Sequence, residues 1–147
     1  MTRINSGIEV KELTDEHLLA EHREIKRLPF ALGVAIRSGS IQKIPTKFTL
    51  GFGHVRFFLD KLDYIHHRYL ELNQECERRG FTVTWFGENF NLPVPLLKYY
   101  GKYTPGEEDR KLIRERIKTR IMESKKRSWH YYGKRITKEE AVKLLGS

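Results

Sequence analysis

A run of apolar residues between His54 and Arg79 restricts the fold of this chain more than any other feature. Its apolar side chains recur at steps of three and four, at Val55, Phe58, Leu59, Leu62, Ile65, Leu72 and Cys76. This spacing places them on one face of an α-helix, and the Gly80 that follows is typical of a helix C-terminus. The segment therefore predicts a long helix that is buried along one side.

A second amphipathic segment, residues 14–37, precedes this helix. Thr14 can cap a helix N-terminus with its hydroxyl, and Asp15 suits the positive end of the helix dipole. Pro29 lacks a backbone donor and its ring clashes with the preceding turn, so we expect it to kink or divide the helix. Residues 38–53, which contain several glycines and a proline, are predicted to be a connector.

Two capping signals predict the helices of the C-terminal third. Thr104 to Glu107 has the spacing of a capping box with proline at the first helical position, ahead of a helix over about 105–125. A second capping box from Thr137 to Glu140 predicts a short helix that ends at Gly146. Residues 81–106 are too hydrophobic for a disordered linker and predict an irregular wrap over the core.

The predicted fold class is therefore all-α. We expect a single compact domain over residues 1–147, built from three main helices, irregular loops and a short C-terminal helix. Residues 137–147 are expected to be an extension of that domain.

The charge balance points to a polyanionic partner. The chain has 28 Lys and Arg against 19 Asp and Glu, a formal charge of +9, and nucleic acid is the usual partner of such a field. A basic protein with no such partner is the alternative. No apolar run is long enough for a membrane span, and no secretory signal precedes the first helix. The single cysteine, Cys76, is expected in the core, and the chain is expected to be cytoplasmic and monomeric.

The usual catalytic motifs are absent from the sequence, so the chemistry has to come from less regular features. There is no zinc-protease, nucleophile-elbow, phosphate-loop or dinucleotide-binding pattern. The adjacent His66 and His67 point to different faces of a helix and cannot share a metal.

One candidate feature is a face of the first helix. At 100° per residue, His17, Glu21 and Glu24 lie on one side, and Arg23 and Arg27 flank Glu24. Guanidiniums beside a carboxylate could keep it ionised and bind phosphates next to it. The alternative is a solvated helix face with favourable charge pairs.

The other candidate is the N-terminus. A small residue at position 2 permits removal of the initiator methionine, which leaves Thr2 with a free α-amine. Such an amine has a pKa of about 7.7–8.0 and is partly neutral at physiological pH. It could form an imine with a sugar carbon, although most processed termini have no such role.

Several ordered stretches resemble one family. They are MTRIN at the start, LTDEHLLAEHRE at 13–24, LGFGHVRFFLDKL at 50–62 with ECERRGF at 75–81, YTPGEE at 103–108 and WHYYGK at 129–134. Together they resemble the phage-type pyrimidine-dimer DNA glycosylases with abasic-site lyase activity, traditionally called phage endonuclease V. Residues 82–100 match that family poorly.

The resemblance implies a mechanism and a set of residues. The α-amine of Thr2 would attack the sugar of the 5′ pyrimidine of a dimer, and Glu24 would move protons during strand cleavage by β-elimination. Double-stranded DNA would be the partner, and no metal or organic cofactor would be needed. The DNA-contacting residues implied by the resemblance are Arg3, His17, Arg23, Arg27, Arg116 and Arg120.

Two other functions remain open from the sequence. The same imine chemistry could act on another lesion or on abasic sites alone, or the chain could be a non-catalytic basic DNA-binding module. The aromatic cluster near residue 130 is also open. Trp129 could pack in the core or stack on a base, and Tyr131 and Tyr132 are undecided.

Overall fold

The computed structural model describes residues 2–146 and is mostly helical, as predicted. Six α-helices follow one another in this range: α1 Asp15–Glu24, α2 Arg27–Arg37, α3 Gly53–Phe57, α4 Leu62–Arg78, α5 Glu107–Glu123 and α6 Lys138–Lys143. Short 3-10 turns lie at Val10–Glu12, Ile41–Lys43, Gly87–Phe90 and Val94–Tyr99. The last two belong to the wrap predicted for residues 81–106, whose Phe90 is buried in the core.

The first predicted helix is divided, and the position of Pro29 explains where. The break falls at Ile25 and Lys26, between α1 and α2. A proline ring clashes with the carbonyl four residues earlier, which here belongs to Ile25. Pro29 itself lies in the first turn of α2, where backbone N–H groups have no partner within the helix. Thr14 caps α1 as predicted, because its Oγ1 accepts a hydrogen bond from His17 N at 3.1 Å.

The long helix predicted from His54 to Arg79 is wrong in one respect, because it is interrupted after Phe57. The wrap lies against the chain there, with Lys61 bridged to Tyr100. Gly101 N donates to Asp60 O at 3.1 Å, so the wrap takes a carbonyl that a continuous helix would use. A Cβ on residue 101 would lie 2.2 Å from Asp60 O, and only glycine permits this approach. α4 then ends at Arg78, and Gly80, two residues later, has a φ of 84°, the left-handed conformation expected after a helix.

The two predicted capping boxes have different outcomes. The one at Thr104 is wrong, since Gly106 is the N-cap of α5 and no side chain caps it. The one at Thr137 is confirmed: Glu140 N donates to Thr137 Oγ1 at 3.1 Å, and Thr137 N donates to Glu140 Oε1 at 3.0 Å.

A small hairpin was not predicted. β1 Trp129–Tyr131 pairs antiparallel with β2 Lys134–Ile136, with Trp129 opposite Ile136. The turn residues Tyr132 and Gly133 have φ of 54° and 79°, the left-handed pair that a tight hairpin requires. Asp15 stabilises this turn, because its carboxylate accepts from Tyr132 N at 3.0 Å and Gly133 N at 2.8 Å.

One hydrophobic core joins all these elements. α1 packs against α4, and the isoleucine stripe of α5 is buried at Ile113, Ile117 and Ile121. Cys76 is buried in this core, as expected. Ala141 and Leu145 are also buried, so the terminal helix contributes side chains to the core.

Candidate active site

The N-terminal segment is fixed to the helices by a buried carboxylate. Glu21, on α1, accepts hydrogen bonds from Asn5 N at 3.2 Å and Asn5 Nδ2 at 3.0 Å. The same carboxylate accepts two bonds from Arg68 on α4, from Nε at 2.9 Å and Nη2 at 3.0 Å. Arg68 Nη1 donates to Ile8 O at 2.6 Å. The buried charges of Glu21 and Arg68 are thus paired and hydrogen-bonded, which offsets the cost of removing them from water.

A second buried contact fixes the next residue along the segment. Ile4 N donates to His54 Nε2 at 3.0 Å, and His54 Nδ1 lies 3.0 Å from Thr49 O. Nε2 also lies 3.2 Å from Ile4 O, and a ring with its proton on Nδ1 allows Nδ1 to donate to Thr49 O while Nε2 accepts from Ile4 N. Burial, with a smaller effect of the nearby Arg116 charge, lowers the pKa of His54 to about 4. His54 is therefore an uncharged acceptor at neutral pH.

These contacts place the first residues of the chain beside Glu24. Arg3 N donates to Glu24 Oε1 at 3.1 Å, so the carboxylate contacts the backbone nitrogen of the residue that follows Thr2. Arg27 Nη1 donates to the Thr2 hydroxyl oxygen at 3.4 Å. A guanidinium cannot accept a proton, so this contact does not activate the hydroxyl as a nucleophile.

The predicted pair of arginines around Glu24 is only partly formed. Arg23 Nη2 lies 4.0 Å from Glu24 Oε2, and its side chain is 61% exposed. Arg27 begins α2 beyond the helix break and contacts Thr2 instead of Glu24. Arg23 therefore lies near Glu24, and Arg27 lies near Thr2.

Three guanidiniums gather on the other side of the segment. Arg116 Nη2, on α5, lies 3.3 Å from both Ile4 O and Asn5 Oδ1, to which it donates. Burial and the charges of Arg120 and Arg3 lower the pKa of Arg116 to about 10. Burial and Arg3 also lower the pKa of Arg120. The positive charges of Arg3, Arg116 and Arg120 destabilise one another, and an anion bound among them would relieve the repulsion.

Together these side chains line a narrow space of about 40 Å³, which we call the N-terminal cleft. Its lining residues are Arg3, Asn5, His17, Ala20, Glu21, Glu24, Arg116, Ile117 and Arg120. Arg3 Nε is buried there without a hydrogen-bond partner among the described residues. The cleft is too small to enclose a nucleotide, so a large substrate would lie across its mouth.

His17 lies in the cleft as a neutral ring. Its Nδ1 is 2.8 Å from Thr14 Oγ1, and the ring stacks on Trp129 with centroids 5.2 Å apart. Burial lowers the pKa of His17 to about 4, despite the opposing effects of Glu16 and Glu21. His17 therefore has no positive charge with which to attract phosphate at neutral pH.

The aromatic cluster has a structural role in the unbound protein. Trp129 is 8% exposed and belongs to the core, so packing was the correct alternative. Tyr132 OH donates to Glu75 Oε2 at 2.9 Å, and the Arg79 guanidinium lies over the rings of Tyr131 and Tyr132. Arg79 also binds Asp15 and Glu75 at 2.8 Å each, so the hairpin closes a buried ionic network.

The structure thus gathers the predicted residues Thr2, Arg3, His17, Glu24, Arg27, Arg116 and Arg120, with Arg23 at the edge. Sequence reasoning missed the residues that position them, namely Asn5, Arg68 and His54, and the ion-pairing role of Glu21. The position of Arg68 could have indicated a buried ion pair. It follows Ile65 by three residues on the apolar face of its helix, where an unpaired charge would be unfavourable.

The N-terminal cleft thus combines two carboxylates with several guanidiniums and the first residues of the chain. The family model for pyrimidine dimer DNA glycosylase matches residues 1–86, more than half of the chain. The chain therefore belongs to the pyrimidine dimer DNA glycosylase family, and the predicted family is confirmed. It is a DNA repair glycosylase that acts on DNA.

Two further properties concern the described residues alone. No helix between residues 2 and 146 is long and apolar enough to cross a membrane. Within the same range, no three His, Cys, Asp or Glu side chains are grouped so as to hold a metal ion.

Proposed function

We propose that this chain cleaves the glycosidic bond of the 5′ pyrimidine in UV-induced cyclobutane dimers and then nicks the strand through an imine with the Thr2 α-amine. The observation that carries the proposal is the hydrogen bond from Arg3 N to Glu24 Oε1 at 3.1 Å. The Glu24 carboxylate thus contacts the backbone nitrogen of the residue after Thr2, and Arg27 contacts the Thr2 hydroxyl, which supports a role for both side chains around the Thr2 amine.

The first step is displacement at the sugar. The neutral α-amine attacks C1′, and the bond between C1′ and the pyrimidine nitrogen breaks with its electron pair leaving on the base, which takes up a proton. The nitrogen then loses one proton, and the C1′–O4′ bond breaks with its electron pair on O4′, which is protonated as a protonated imine forms between C1′ and Thr2. Of the two protons taken up by the base and O4′, one comes from the amine and the other from water. The Glu24 carboxylate beside the nitrogen stabilises the positive imine.

The second step cuts the strand. The imine acidifies the C2′ hydrogen, and Glu24 accepts that proton in this proposal. The electron pair forms a C1′–C2′ enamine and then expels the 3′ oxygen as the phosphate leaves, which is β-elimination. Water finally hydrolyses the imine and returns the free amine. Glu24 Oε2 suits the proton transfer, because among residues 2–146 the only side-chain hydrogen bond of Glu24 goes to Oε1.

The arginine cluster supports the same substrate. Arg3, Arg116 and Arg120 surround the cleft, and Arg23 and Arg27 are exposed at its other edge. Guanidiniums bind phosphate oxygens in a forked geometry, so strand phosphates on both sides of a lesion can be bound. A pyrimidine dimer weakens stacking and pairing, so bending and opening DNA there costs less than at intact steps.

Borohydride trapping on three duplexes tests the proposal. The duplexes contain a cyclobutane dimer, an abasic site or no damage, and the products are resolved on denaturing gels. We expect a covalent adduct and a nick on the first two and neither on intact DNA. Trapping on abasic DNA alone would assign a lyase of different lesion range. Binding without an adduct on either damaged duplex would assign a non-catalytic module.

The proposal also requires a free Thr2 amine, and hence removal of Met1, which lies outside the described residues. Intact-mass analysis of an active preparation should give the mass of the chain that begins at Thr2. Full activity in a preparation that retains Met1 would overturn the N-terminal nucleophile.

A further inference from the structure

Phe52 is the most exposed large apolar side chain among the described residues. It is 99% exposed at the tip of the loop that precedes α3. An exposed phenylalanine leaves an apolar ring in water, which is unfavourable unless a partner covers it. Isolated surface apolar residues are common, so the surroundings of Phe52 decide whether it has a role.

The loop that presents Phe52 is held in a defined conformation. Gly51 has a φ of 74°, and His54 N donates to Gly51 O at 3.1 Å. A Cβ on Gly53 would lie 2.5 Å from Thr49 Cγ2, so the two ends of the loop are closely packed. Phe52 is therefore presented on a tight turn rather than on a long loop.

The same turn is joined to the proposed site. His54, two residues after Phe52, accepts from Ile4 N at 3.0 Å. Leu50, two residues before it, lines a surface groove with Arg116 and Arg120. The position of Phe52 is thus tied to the segment that holds Thr2 and to the arginines of the cleft.

A second groove, mostly apolar but with two arginines in its lining, lies on the other side of the turn. Phe52 has helical backbone angles, so it shares a face with Val55 and Arg56, three and four residues later. Val55 and Arg56 line a cavity of about 550 Å³ together with Arg27, whose guanidinium contacts Thr2. The exposed ring therefore lies between two grooves that each include a pair of arginines, Arg116 with Arg120 in one and Arg27 with Arg56 in the other.

We propose that Phe52 is a wedge that inserts between stacked bases of duplex DNA at the damaged step. The inference rests on the proposed function, because it takes damaged duplex DNA as the ligand. Arginines on both sides bind phosphates, which directs an apolar ring between them toward the base stack. Apolar side chains inserted at base steps unstack and kink DNA, and a weakened step resists this least. Phe52 then contributes to recognition of damage without reading base edges.

Fluorescence of the full chain carrying Phe52→Trp tests the insertion directly. The probe duplexes are one with a stable tetrahydrofuran abasic analogue, which cannot be cleaved, and its intact counterpart. We expect the introduced tryptophan to be quenched, and shielded from acrylamide, on the damaged duplex. The same titration of the wild-type chain subtracts the signals of Trp85 and Trp129. An introduced tryptophan that stays as accessible to acrylamide in the complex as in the free protein would overturn the wedge.

Affinity measurements on Phe52→Ala supply a second readout. Loss of one aromatic stacking contact typically weakens binding by about five- to a hundred-fold, and we expect a loss in that range on the damaged duplex with a smaller loss on the intact one. Val94→Ala is the matched control, because Val94 is 78% exposed and lies outside the proposed site. Equal losses on both duplexes, or none, would contradict the wedge.

The two proposals fail in distinguishable ways. The wedge is scored by binding and fluorescence on a duplex that cannot react. Imine chemistry is scored by trapping on reactive duplexes with the wild-type chain. Quenching of the introduced tryptophan without any trapped adduct would retain the wedge and reject the catalytic proposal, and the reverse pattern would do the opposite.

Discussion

Glu24 is a residue whose two carboxylate oxygens have different surroundings. Oε1 accepts from Arg3 N at 3.1 Å, whereas Oε2 accepts no hydrogen bond from a described residue and lies 4.0 Å from Arg23 Nη2. One oxygen therefore positions the N-terminal segment while the other remains available for proton transfer. A glutamine at this position would keep the first contact through its carbonyl and lose the basicity of the second.

Glu24→Gln should bind a dimer-containing duplex with near wild-type affinity but nick it at least about 100-fold more slowly, because loss of a general base typically costs that much. Gel-shift and single-turnover cleavage assays on the same duplex measure the two effects. Glu108→Gln, an exposed substitution in the first turn of α5, is the control. Undiminished nicking by Glu24→Gln would remove Glu24 from the mechanism.

Thr2→Ala separates the main-chain amine from the side-chain hydroxyl. The amine is kept, and only the contact from Arg27 at 3.4 Å is lost. We expect borohydride trapping to persist and the cleavage rate to fall by no more than about tenfold, as for one hydrogen bond. Chemical acetylation of the α-amine is the opposite test and should abolish trapping. Abolition of trapping by Thr2→Ala would point to the hydroxyl.

At the scale of elements, the ion pair between Glu21 of α1 and Arg68 of α4 connects two helices to the N-terminal segment. Removing one partner leaves the other charged, buried and unpaired. Glu21→Gln should therefore lower the free energy of unfolding by about 3–5 kcal/mol, as measured by urea denaturation. The double variant Glu21→Leu with Arg68→Met, which removes both charges, should recover part of that loss. Additive losses in the double variant would show that the pair is not coupled.

The buried histidines make stability depend on pH. His17 and His54 have pKa values of about 4 in the folded chain, against about 6.5 when unfolded. As pH falls from about 6.5 toward 5, the unfolded chain binds protons that the folded chain does not. Stability is then lost, by at most about 1.4 kcal/mol per pH unit for each histidine. Urea midpoints measured between pH 7.5 and 5 check this, and a midpoint that stays constant over that range would contradict it.

His54→Gln is the informative variant for this dependence. Glutamine can still accept from Ile4 N but cannot be protonated. The free energy of unfolding should therefore depend less on pH, by the amount that one histidine contributes. Overall stability should fall, because His54 also packs edge-on against Phe48 and Phe58.

Local sequence patterns correctly predicted the features that are determined by residues close together in the chain. The hydroxyl of Thr14, the Thr137 box, Pro29 and the isoleucines of α5 act within a few residues, and each was interpreted correctly. The interruption after Phe57 could not be predicted, because its cause is the close approach of Gly101, which lies much later in the chain. The hairpin was missed for a related reason: Asp15 stabilises its turn from the far end of the sequence.

At the scale of the whole molecule, the site is assembled from three distant stretches of chain. Residues 2–5, α1 and α5 each contribute charged groups to the cleft, and Arg27 at the start of α2 contacts Thr2. Helical periodicity placed His17, Glu21 and Glu24 on one side, and all three line the cleft. Helical periodicity could not predict the contact between Arg116 and Ile4, which are 112 positions apart in the sequence. The identity of the site came from family resemblance, since isolated arginines carry no such signal.

The net charge of +9 should make DNA binding strongly dependent on salt. Arg120 is exposed at the cleft and makes no hydrogen bond through its side chain to another described residue. Arg120→Gln should therefore reduce the slope of log K against log salt concentration by about 0.9, the value for one phosphate contact. Titrations over a series of salt concentrations with an undamaged duplex measure it.

Arg135→Gln is the control for this slope, because Arg135 is exposed on β2, outside the cleft. An equal change in both variants would mean that net charge alone sets the slope. No change in either would mean that Arg120 does not contact phosphate.

The buried attachment of Asn5 has a practical consequence for protein engineering. A terminus is normally the safest place to attach a fusion partner, because it frays without cost. Here the first residues are bound to Glu21, His54 and Arg116, so a tag joined ahead of Thr2 would emerge at the cleft and convert its amine into an amide. Reporter and purification tags belong after α6, and only a leader that a protease removes without leaving a residue is compatible with the amino end.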